Sequence, residues 1–563
     1  MALSTHIALV LGVAIVSAVG VGVVLWVALG HPPLRPAGNW TTSNSFEFVK
    51  IVLALAGGVG AVVALVVAYR KQHLGETAER REDIKLFAER FTKASDQLGS
   101  DKAAVRLAGM YALEDLAQGT PSQRQTIVNV LCAYLRMPYL PASAPSSGGN
   151  APVETTTSTA PAEDAGAVLD QCVDHDENER RQQERQVRLT AQRILGAHLR
   201  PQDDGARVSD AFWQDIDLDL TGATLVGLDL RKCHVRTAKF DNAVFSEGAL
   251  FRQATFNGNA WFSNAIFDGD TGFREATFCG QAWFSEVAFN GYVGFGETRF
   301  SGYAGFGEAV FRGDAGFGDV TFAEGTGFGK ATFCGQAWFS KASFSGNAGF
   351  AETSFSVYAG FGKSTFCGDA RFDNATFDGQ AWFGGAAFNG RAGFDEASFS
   401  GYAGFGEASF NGVAGFYKAL FREDAGFGET SFNGDTKFDE ATFARGAAFD
   451  RATFEGNAGF EEVTFNGRAG FGRATFNGRA GFSRARFGGQ AWFGGTMFGM
   501  RPCCVDARVR LDATLVGART WPDGVTATEP SSQDKARLPD LEGTWGYLQA
   551  AIVDHLPPAD LAG

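Results

Sequence analysis

A large apolar residue recurs every five or six positions through the second half of the chain. From Leu220 to Phe245 the interval is five residues, and from Phe245 to Phe498 it alternates between six and five. The repeating unit is therefore eleven residues, and a small residue, usually Ala, stands two positions before most of these large residues. Glycine (73) and Phe (53) are correspondingly abundant. Such a bias indicates a repeat architecture.

An eleven-residue period is also compatible with a right-handed coiled coil. On an α-helix, however, residues five apart are separated by about 140° and lie on nearly opposite sides. Most units also carry glycine, which costs about 1 kcal/mol at each interior helix position. The pattern therefore excludes a coiled coil.

A β-solenoid fits the same spacing. The side chains of Ala254, Thr255 and Phe256 are expected to point inward, outward and inward, as they do in a short strand. Two residues turn one corner and three turn the next, where a recurrent glycine such as Gly258 is expected to supply a positive φ. The spacing resembles that of pentapeptide-type helices, which have four sides, and this resemblance implies that two units make one coil of about 22 residues. Residues 240–498 then give about twelve coils and a rod of roughly 55–60 Å, at about 4.8 Å per coil.

Residues 216–503 resemble the pentapeptide-repeat family, since Ala223-Thr224-Leu225 and Ala238-Lys239-Phe240 match its small-polar-large core. The later Phe-x-x-Ala-x-Phe-x-Gly units resemble its Phe-rich bacterial variant, and residues 97–107 resemble the stalk of membrane-anchored members. The resemblance implies a right-handed quadrilateral β-helix. The expected fold class is mainly β: this solenoid, preceded by two transmembrane helices and a small helical stalk.

The N-terminal region is expected to be a membrane anchor, residues 1–71. Residues 7–29 form an unbroken apolar run of 23 residues, and a second apolar run covers residues 51–69. Both are long enough to span a bilayer, at about 7–29 and 48–69. A cleaved signal peptide is the alternative for the first run, but residues 1–6 carry no Lys or Arg.

The flanking charges predict the orientation. The segment between the two runs carries one basic residue, Arg35, whereas five follow the second run closely: Arg70, Lys71, Arg80, Arg81 and Lys85. The positive-inside rule places both termini in the cytoplasm of a multi-pass plasma-membrane protein.

The remaining boundaries follow from composition. Residues 72–137 show three apolar stripes at helical spacing, with Ser100-Asp101 as a helix N-cap, and are expected to form a helical stalk module. Its stripes either pack on one another or bind a partner. The composition of residues 138–175 predicts a flexible linker. Residues 176–215 are expected to form a charged helix and an N-terminal cap. The solenoid covers 216–503, and residues 504–563 are a C-terminal cap or tail.

The sequence offers no catalytic constellation, so no enzymatic activity, cofactor or small-molecule substrate is expected. Residues 325–330 and 360–364 resemble a phosphate-binding loop only superficially, because Glu324 and Val357 stand where its first glycine is needed. No Cys or His spacing matches a metal site. The cysteines at 279, 334 and 367 are expected to be unpaired surface thiols.

Five tryptophans stand immediately before an inward Phe and should therefore point outward. They are the candidate interaction surface: Trp261, Trp283, Trp338, Trp382 and Trp492. Their spacing puts the first two on one side of the coil and the other three on the opposite side. Exposed aromatics can mark a binding surface. The alternative is that neighbouring side chains cover them.

These features favour a scaffold or protein-interaction module at the cytoplasmic membrane face, acting on a protein partner or by self-association. The alternative is a DNA mimic that regulates a type II topoisomerase, as some pentapeptide-repeat proteins do. Duplex DNA carries about 32 negative charges over 55 Å. Residues 241–500 hold 28 Asp and Glu against 19 Lys and Arg, a net of 28 − 19 = 9 negative charges. This charge density is too low for mimicry of duplex DNA. With a net charge of -14, no nucleic acid is expected as a partner.

Overall fold

The computed structural model describes residues 42–141, 164–201, 210–512, 520–529 and 544–550, with scattered positions between 12 and 30. The chain divides into two compact units, residues 1–93 and 94–563. Among the described residues, no helix combines the length and the apolarity needed to cross a membrane. Much of the first predicted span, and the side chains at 51, 52, 55, 56 and 59 in the second, lie outside the described residues.

Among the residues described from 42 onward, the α-helices that precede the solenoid are α1 (Thr42–Leu98), α2 (Ala103–Gly119), α3 (Arg124–Arg136) and α4 (Asp164–His198). A 3₁₀ turn, Pro121–Gln123, joins α2 to α3. Helix α1 is continuous from the second apolar run into the predicted stalk. Helix α4 begins at Asp164, inside the range predicted as a linker.

The predicted N-cap of α2 is wrong. Lys102 is the N-cap residue, and no side chain caps the helix. The Ser100 hydroxyl instead accepts a hydrogen bond from the Lys102 N–H, one residue before the helix begins.

The solenoid repeats every 22 residues and has four strand-bearing faces, named A to D in chain order. Neighbouring coils pair in parallel, and faces A and D each hold 13 strands. Because identical positions pair, Thr255 lies opposite Thr277 and Phe256 opposite Phe278. Two-residue corners join A to B and C to D, and three-residue corners join B to C and D to A. The predicted β-solenoid and its two-unit coil are confirmed.

The strands are short, mostly two residues, and repeat at the same place in each coil. Face A comprises Leu218–Asp219, Ala238–Lys239, Ala260–Trp261, Ala282–Trp283, Ala304–Gly305, Thr326–Gly327, Ala348–Gly349, Ala370–Arg371, Ala392–Gly393, Ala414–Gly415, Thr436–Lys437, Ala458–Gly459 and Ala480–Gly481. Face B comprises Ile266–Phe267, Ala288–Phe289, Val310–Phe311, Thr332–Phe333, Ser354–Phe355, Thr376–Phe377, Ser398–Phe399, Leu420–Phe421, Thr442–Phe443, Thr464–Phe465, Arg486–Phe487 and Arg508–Arg510.

The other two faces follow the same rule. Face C comprises Thr271–Gly272, Val293–Gly294, Ala315–Gly316, Ala337–Trp338, Tyr358–Gly360, Gln380–Trp382, Ala403–Gly404, Ala425–Gly426, Ala447–Ala448, Ala469–Gly470 and Ala491–Trp492. Face D comprises His234–Val235, Thr255–Phe256, Thr277–Phe278, Arg299–Phe300, Thr321–Phe322, Ser343–Phe344, Thr365–Phe366, Ala387–Phe388, Ser409–Phe410, Ser431–Phe432, Thr453–Phe454, Thr475–Phe476 and Met497–Phe498. In the first coils, Thr224–Asp229 and Val244–Leu250 run continuously from face B to face C.

The core is built from ladders of phenylalanine. Phe361 is fully buried and stacks on Phe339 and Phe383, with ring centroids 4.7 and 4.9 Å away. Rings from the opposite faces A and C meet edge to face across the core, as Phe361 does with Phe372 at 84°. Both arrangements are favourable for aromatic quadrupoles. The predicted inward position of the small residue and the Phe is confirmed.

Most hydroxyl residues at the inward small position form hydrogen bonds, the exception being Thr436, whose buried hydroxyl has no partner among the described residues. The Thr353 hydroxyl donates to the Phe328 carbonyl (2.8 Å), and Ser364 donates to Phe339 (2.5 Å). A buried hydroxyl is therefore tolerated there because a carbonyl of the preceding coil accepts its hydrogen bond.

Glycine in the three-residue corners has a different role from the one predicted. The positive φ falls in the two-residue corners, mostly on ordinary residues such as Glu286 (56°) and Lys363 (58°). In the longer corners, glycine is required by close approach of the next coil. A Cβ atom on Gly390 would lie 2.5 Å from the Gly368 carbonyl oxygen, closer than real Cβ contacts.

Both ends of the solenoid are covered. Helix α4 covers the first coils, where the Gln192 side chain exchanges two hydrogen bonds with the Val226 backbone (2.8 and 3.0 Å). At the other end, Trp521 packs on Phe487 and Phe493, with centroids 5.7 and 6.1 Å away. The antiparallel strands Val525–Thr528 and Trp545–Ala550 pair with each other beside it, and the second also pairs with Arg508–Arg510. Terminal coverage matters because a solenoid coil depends on its neighbours for stability.

Candidate interaction surface

The five tryptophans lie on two opposite faces. Trp261 and Trp283 are register partners in neighbouring coils of face A. Trp338 and Trp382 both lie on face C, where each pairs with Gly360 of the coil between them. Trp492 lies on face C five coils further on. The structure therefore brings together two pairs and leaves Trp492 apart.

The exposure of these side chains differs. Trp382 and Trp492 are 43% and 45% exposed, whereas Trp261, Trp283 and Trp338 are only partly exposed. The two exposed indoles share a local sequence, Trp-Phe-Gly-Gly, at 382–385 and 492–495. This repeat distinguishes them from Trp338, which precedes Phe-Ser-Lys.

Glycine explains how the exposed indoles are held. A Cβ atom on Gly384 would lie 2.6 Å from the Trp382 ring, and one on Gly404 would lie 2.7 Å from it. Gly494 stands in the same relation to Trp492, at 2.9 Å. The ring therefore lies flat against bare backbone, which fixes its position and leaves its other side in solvent.

Corner tyrosines extend the aromatic surface, and they were missed in the sequence. Tyr402 lies 6.4 Å from Trp382 between ring centroids, and a Cβ on Gly426 would meet the Tyr402 hydroxyl at 2.5 Å. Tyr292 lies over Gly294 in the same way. The signal was present in the alternation of glycine with aromatic residues along faces A and C.

A groove of about 690 Å³ runs along the corner between faces C and D. Trp382 and Tyr358 form its aromatic part, and Gly384 and Gly385 its backbone floor. Burial raises the pKa of Tyr358 above its ordinary value, so its phenol is neutral at physiological pH. Charged side chains continue the groove in both directions, Lys341 and Lys363 on one side and Glu407 and Glu429 on the other.

The opposite face carries a smaller aromatic cluster. The Lys239 ammonium lies 5.7 Å from the Trp261 ring centroid, and Trp283 packs against Tyr303 at 5.2 Å. A cation over an indole face is attracted by the ring quadrupole. These neighbours partly cover both tryptophans, so face A offers less free aromatic surface than face C.

The described residues include no group of three or more His, Cys, Asp or Glu that could hold a metal ion. The thiols of Cys279, Cys334 and Cys367 are free and exposed, as predicted. Burial raises the pKa of the Cys132 and Cys233 thiols to about 12, which keeps them protonated and unreactive.

A family model described as pentapeptide repeats matches the chain in nine copies, which together cover residues 220–299 and 306–499. Through these residues the chain belongs to the pentapeptide-repeat family. Neither a curated protein nor a solved structure matched the chain.

Proposed function

We propose that this chain is a structural scaffold whose solenoid presents a binding surface to a protein partner. The observation that carries the proposal is the pair of exposed indoles on face C, Trp382 and Trp492, each seated on glycine. Large aromatic side chains held in place lose little entropy on binding and are enriched among the residues that dominate interface energies.

The solenoid suits this role because its shape does not depend on its outward residues. Inward Phe and Ala together with the corner glycines determine the coil, so the outward positions are free to carry recognition chemistry. Repeat proteins generally use such extended surfaces for binding.

We also propose that residues 1–71 attach the chain to the lipid bilayer of the plasma membrane, with both termini in the cytoplasm. The support is the two apolar runs and the basic residues that follow Tyr69. On α1, the side chains of Leu53, Leu65 and Val67 are all more than half exposed, an arrangement that acyl chains could solvate.

Affinity purification of the full chain from its native cells tests the binding proposal. Trp382→Ala combined with Trp492→Ala should reduce recovery of the partner at least about tenfold, the effect of losing a central aromatic contact. Trp338→Ala is the matched control, because it removes a less exposed indole from the same face. Equal recovery with the double variant and with wild type would show that face C is not the binding surface.

A further inference from the structure

The corner between faces C and D carries a straight row of side chains, here called the C–D ridge, and the groove beside Trp382 is the part of this row where Gly362, Gly384, Gly385 and Gly406 leave a gap. It consists of the second residue of each two-residue corner, and these residues share one backbone conformation, with φ between 55° and 74°. The first two corners of this row carry Lys232 and Gln253, and the ridge considered below is the stretch that follows them, in chain order Glu275, Glu297, Asp319, Lys341, Lys363, Gly385, Glu407, Glu429, Arg451, Arg473 and Gly495. They project alike because their backbone is alike.

Ridge residues that lie one to four coils before Gly385 carry charges opposite in sign to the residues at the same distance after it. One coil away on either side stand Lys363 and Glu407, and two coils away Lys341 and Glu429. Three and four coils away, the pairs are again opposite in sign, Asp319 with Arg451 and Glu297 with Arg473. All four pairs obey the rule.

We propose that two copies of this chain associate side by side and antiparallel along the C–D ridge, about a two-fold axis level with Gly385. In that arrangement each residue faces the one equally distant from Gly385 on the other copy. The four pairs nearest the axis are then oppositely charged, which gives eight contacts across a dimer, whereas the outermost pair, Glu275 with Gly495, carries a single charge. The inference deepens the proposed function, because it names a second copy as the partner.

The structure favours close approach at the axis. The first corner residue of the ridge is glycine at 362, 384 and 406, and the exposed Trp382 lies beside Gly384 and Gly385. Two copies can therefore bring their indoles against each other's bare backbone. Asp450 is the one charged residue at the first corner position between 296 and 494, and its carboxylate accepts a hydrogen bond from the Gly472 N–H (3.1 Å).

Three of the four central charges are not neutralised within one copy, whereas Glu429 forms an ion pair with Arg451 (2.7 Å). Among the ion pairs of the described residues, none involves Lys341, Lys363 or Glu407, although all three are exposed. Lys341 and Lys363 are neighbours one coil apart, about 4.8 Å at the backbone, so their like charges repel. A second copy would supply the missing counter-charges.

The ridge is straight enough to pair over its length. Phe361 is rotated by 2° relative to Phe383, and Phe372 by 2° relative to Phe394. The rings of one ladder stand at 84° to the rings of the other. A rotation between successive coils about the rod axis would therefore change the interplanar angle in at least one of the two ladders. Successive coils therefore turn little. Eight coils span about 38 Å, and a strip about 15 Å wide would bury roughly 1,100 Å² in total, at the low end for specific interfaces.

The diagonally opposite corner, between faces A and B, does not share the pattern. Its second residues are symmetric in sign about Asn374: Glu352 matches Glu396, and Lys330 matches Lys418. An antiparallel pair along that corner would set like charges against each other. The opposite-sign arrangement is thus a property of the C–D ridge rather than of the repeat.

Reversal of charge in the full-length chain tests the inference. Two differently tagged copies are co-expressed and co-purified in mild detergent at low salt. Lys341→Glu with Lys363→Glu turns four of the eight contacts repulsive, and so does Glu407→Lys with Glu429→Lys. Each double variant should lose association with itself by at least about 100-fold.

Mixing the two double variants with each other should restore association, because every reversed residue then faces a reversed partner. The backbone accepts either residue, since both Glu and Lys occupy this corner with the same φ, although Glu429→Lys also removes the Glu429–Arg451 ion pair. The matched control is Lys330→Glu with Lys418→Glu, which makes the same charge change on the opposite corner and should have no effect. Association should also weaken at 1 M salt, where charges are screened beyond about 3 Å.

Undiminished association of either double variant with itself would overturn the inference, as would failure of the mixture to recover. If the ridge variants behave as wild type while Trp382→Ala with Trp492→Ala still loses a different protein, the dimer is wrong and the proposed scaffold function stands.

Discussion

Replacing Phe361 by Ala tests the view that the solenoid is stabilised coil by coil. The ring is fully buried and stacks on Phe339 and Phe383, and it meets Phe350 and Phe372 edge to face at 5.3 Å. Its removal loses the transfer free energy of a benzyl group and leaves a cavity. We expect a loss of about 3–5 kcal/mol from the coils that contain it.

Hydrogen exchange measured by mass spectrometry on the full chain is the suitable assay, because it reports the loss by position. The Phe361 N–H donates to the Trp382 carbonyl (2.7 Å), so peptides covering residues 339–383 report on the affected coils. A local loss of about 3–5 kcal/mol should accelerate exchange there by roughly 10² to 10⁴-fold. Peptides near residues 454–476 should change far less.

Lys363→Ala is the matched control. Lys363 stands two residues further on, in the following corner, with its side chain exposed, so its truncation should stay within about 0.5 kcal/mol. Equal acceleration by both variants would refute the inward–outward assignment. Uniform acceleration along the whole rod with Phe361→Ala would refute the coil-by-coil picture, since the solenoid would then open only as one cooperative unit.

Further predictions concern the corners, the caps and the two functional hypotheses. Gly390→Ala should destabilise the rod by about 1–3 kcal/mol in thermal unfolding, whereas Gly272→Ala, which has open space for a methyl group, should be neutral. The hydrogen bond from Arg236 holds the pKa of Asp217 below its usual range, so its stabilising effect is complete above about pH 4 and is lost as the pH falls through the lowered pKa. Asp217→Asn should reduce this loss of stability at acid pH, measured by hydrogen exchange of residues 214–240. Cysteine labelling from outside intact cells should leave the C-terminal region unmodified, and labelling there would contradict the cytoplasmic orientation. The purified full chain should not inhibit supercoiling by a type II topoisomerase, and potent inhibition lost on neutralising Glu423, Asp424 and Glu429 would favour DNA mimicry.

The fold of the solenoid could be predicted because its determinants repeat. The spacing of Phe alone excludes a helix and defines which side chains point inward, and the strand registers confirm it. Glycine was harder. Its role in the longer corners depends on the distance to a residue 22 positions earlier, as between Gly390 and Gly368, and a local pattern does not contain that distance.

The candidate surface was only partly predictable. Spacing gives the face on which a tryptophan lies but not its exposure, which depends on the residues of three successive coils. Trp382 is exposed because glycine stands at 362, 384 and 404 around it. The repeated Trp-Phe-Gly-Gly segment signals this in the sequence. Its meaning becomes clear only when residues 22 apart are placed side by side.

The charge pattern of the C–D ridge is independent of the requirements of the fold. The corner needs a residue that tolerates a positive φ, and Glu, Asp, Lys, Arg, Gln and Gly all meet that need in this chain. Neutralisation within one copy would favour alternating signs from coil to coil. The ridge instead carries its charges in same-sign groups, which is unfavourable for an isolated rod. That arrangement becomes favourable when an antiparallel copy presents the opposite sign to each group, with the centre of the pattern at Gly385 beside the exposed Trp382. Fold stability does not explain it, and association does.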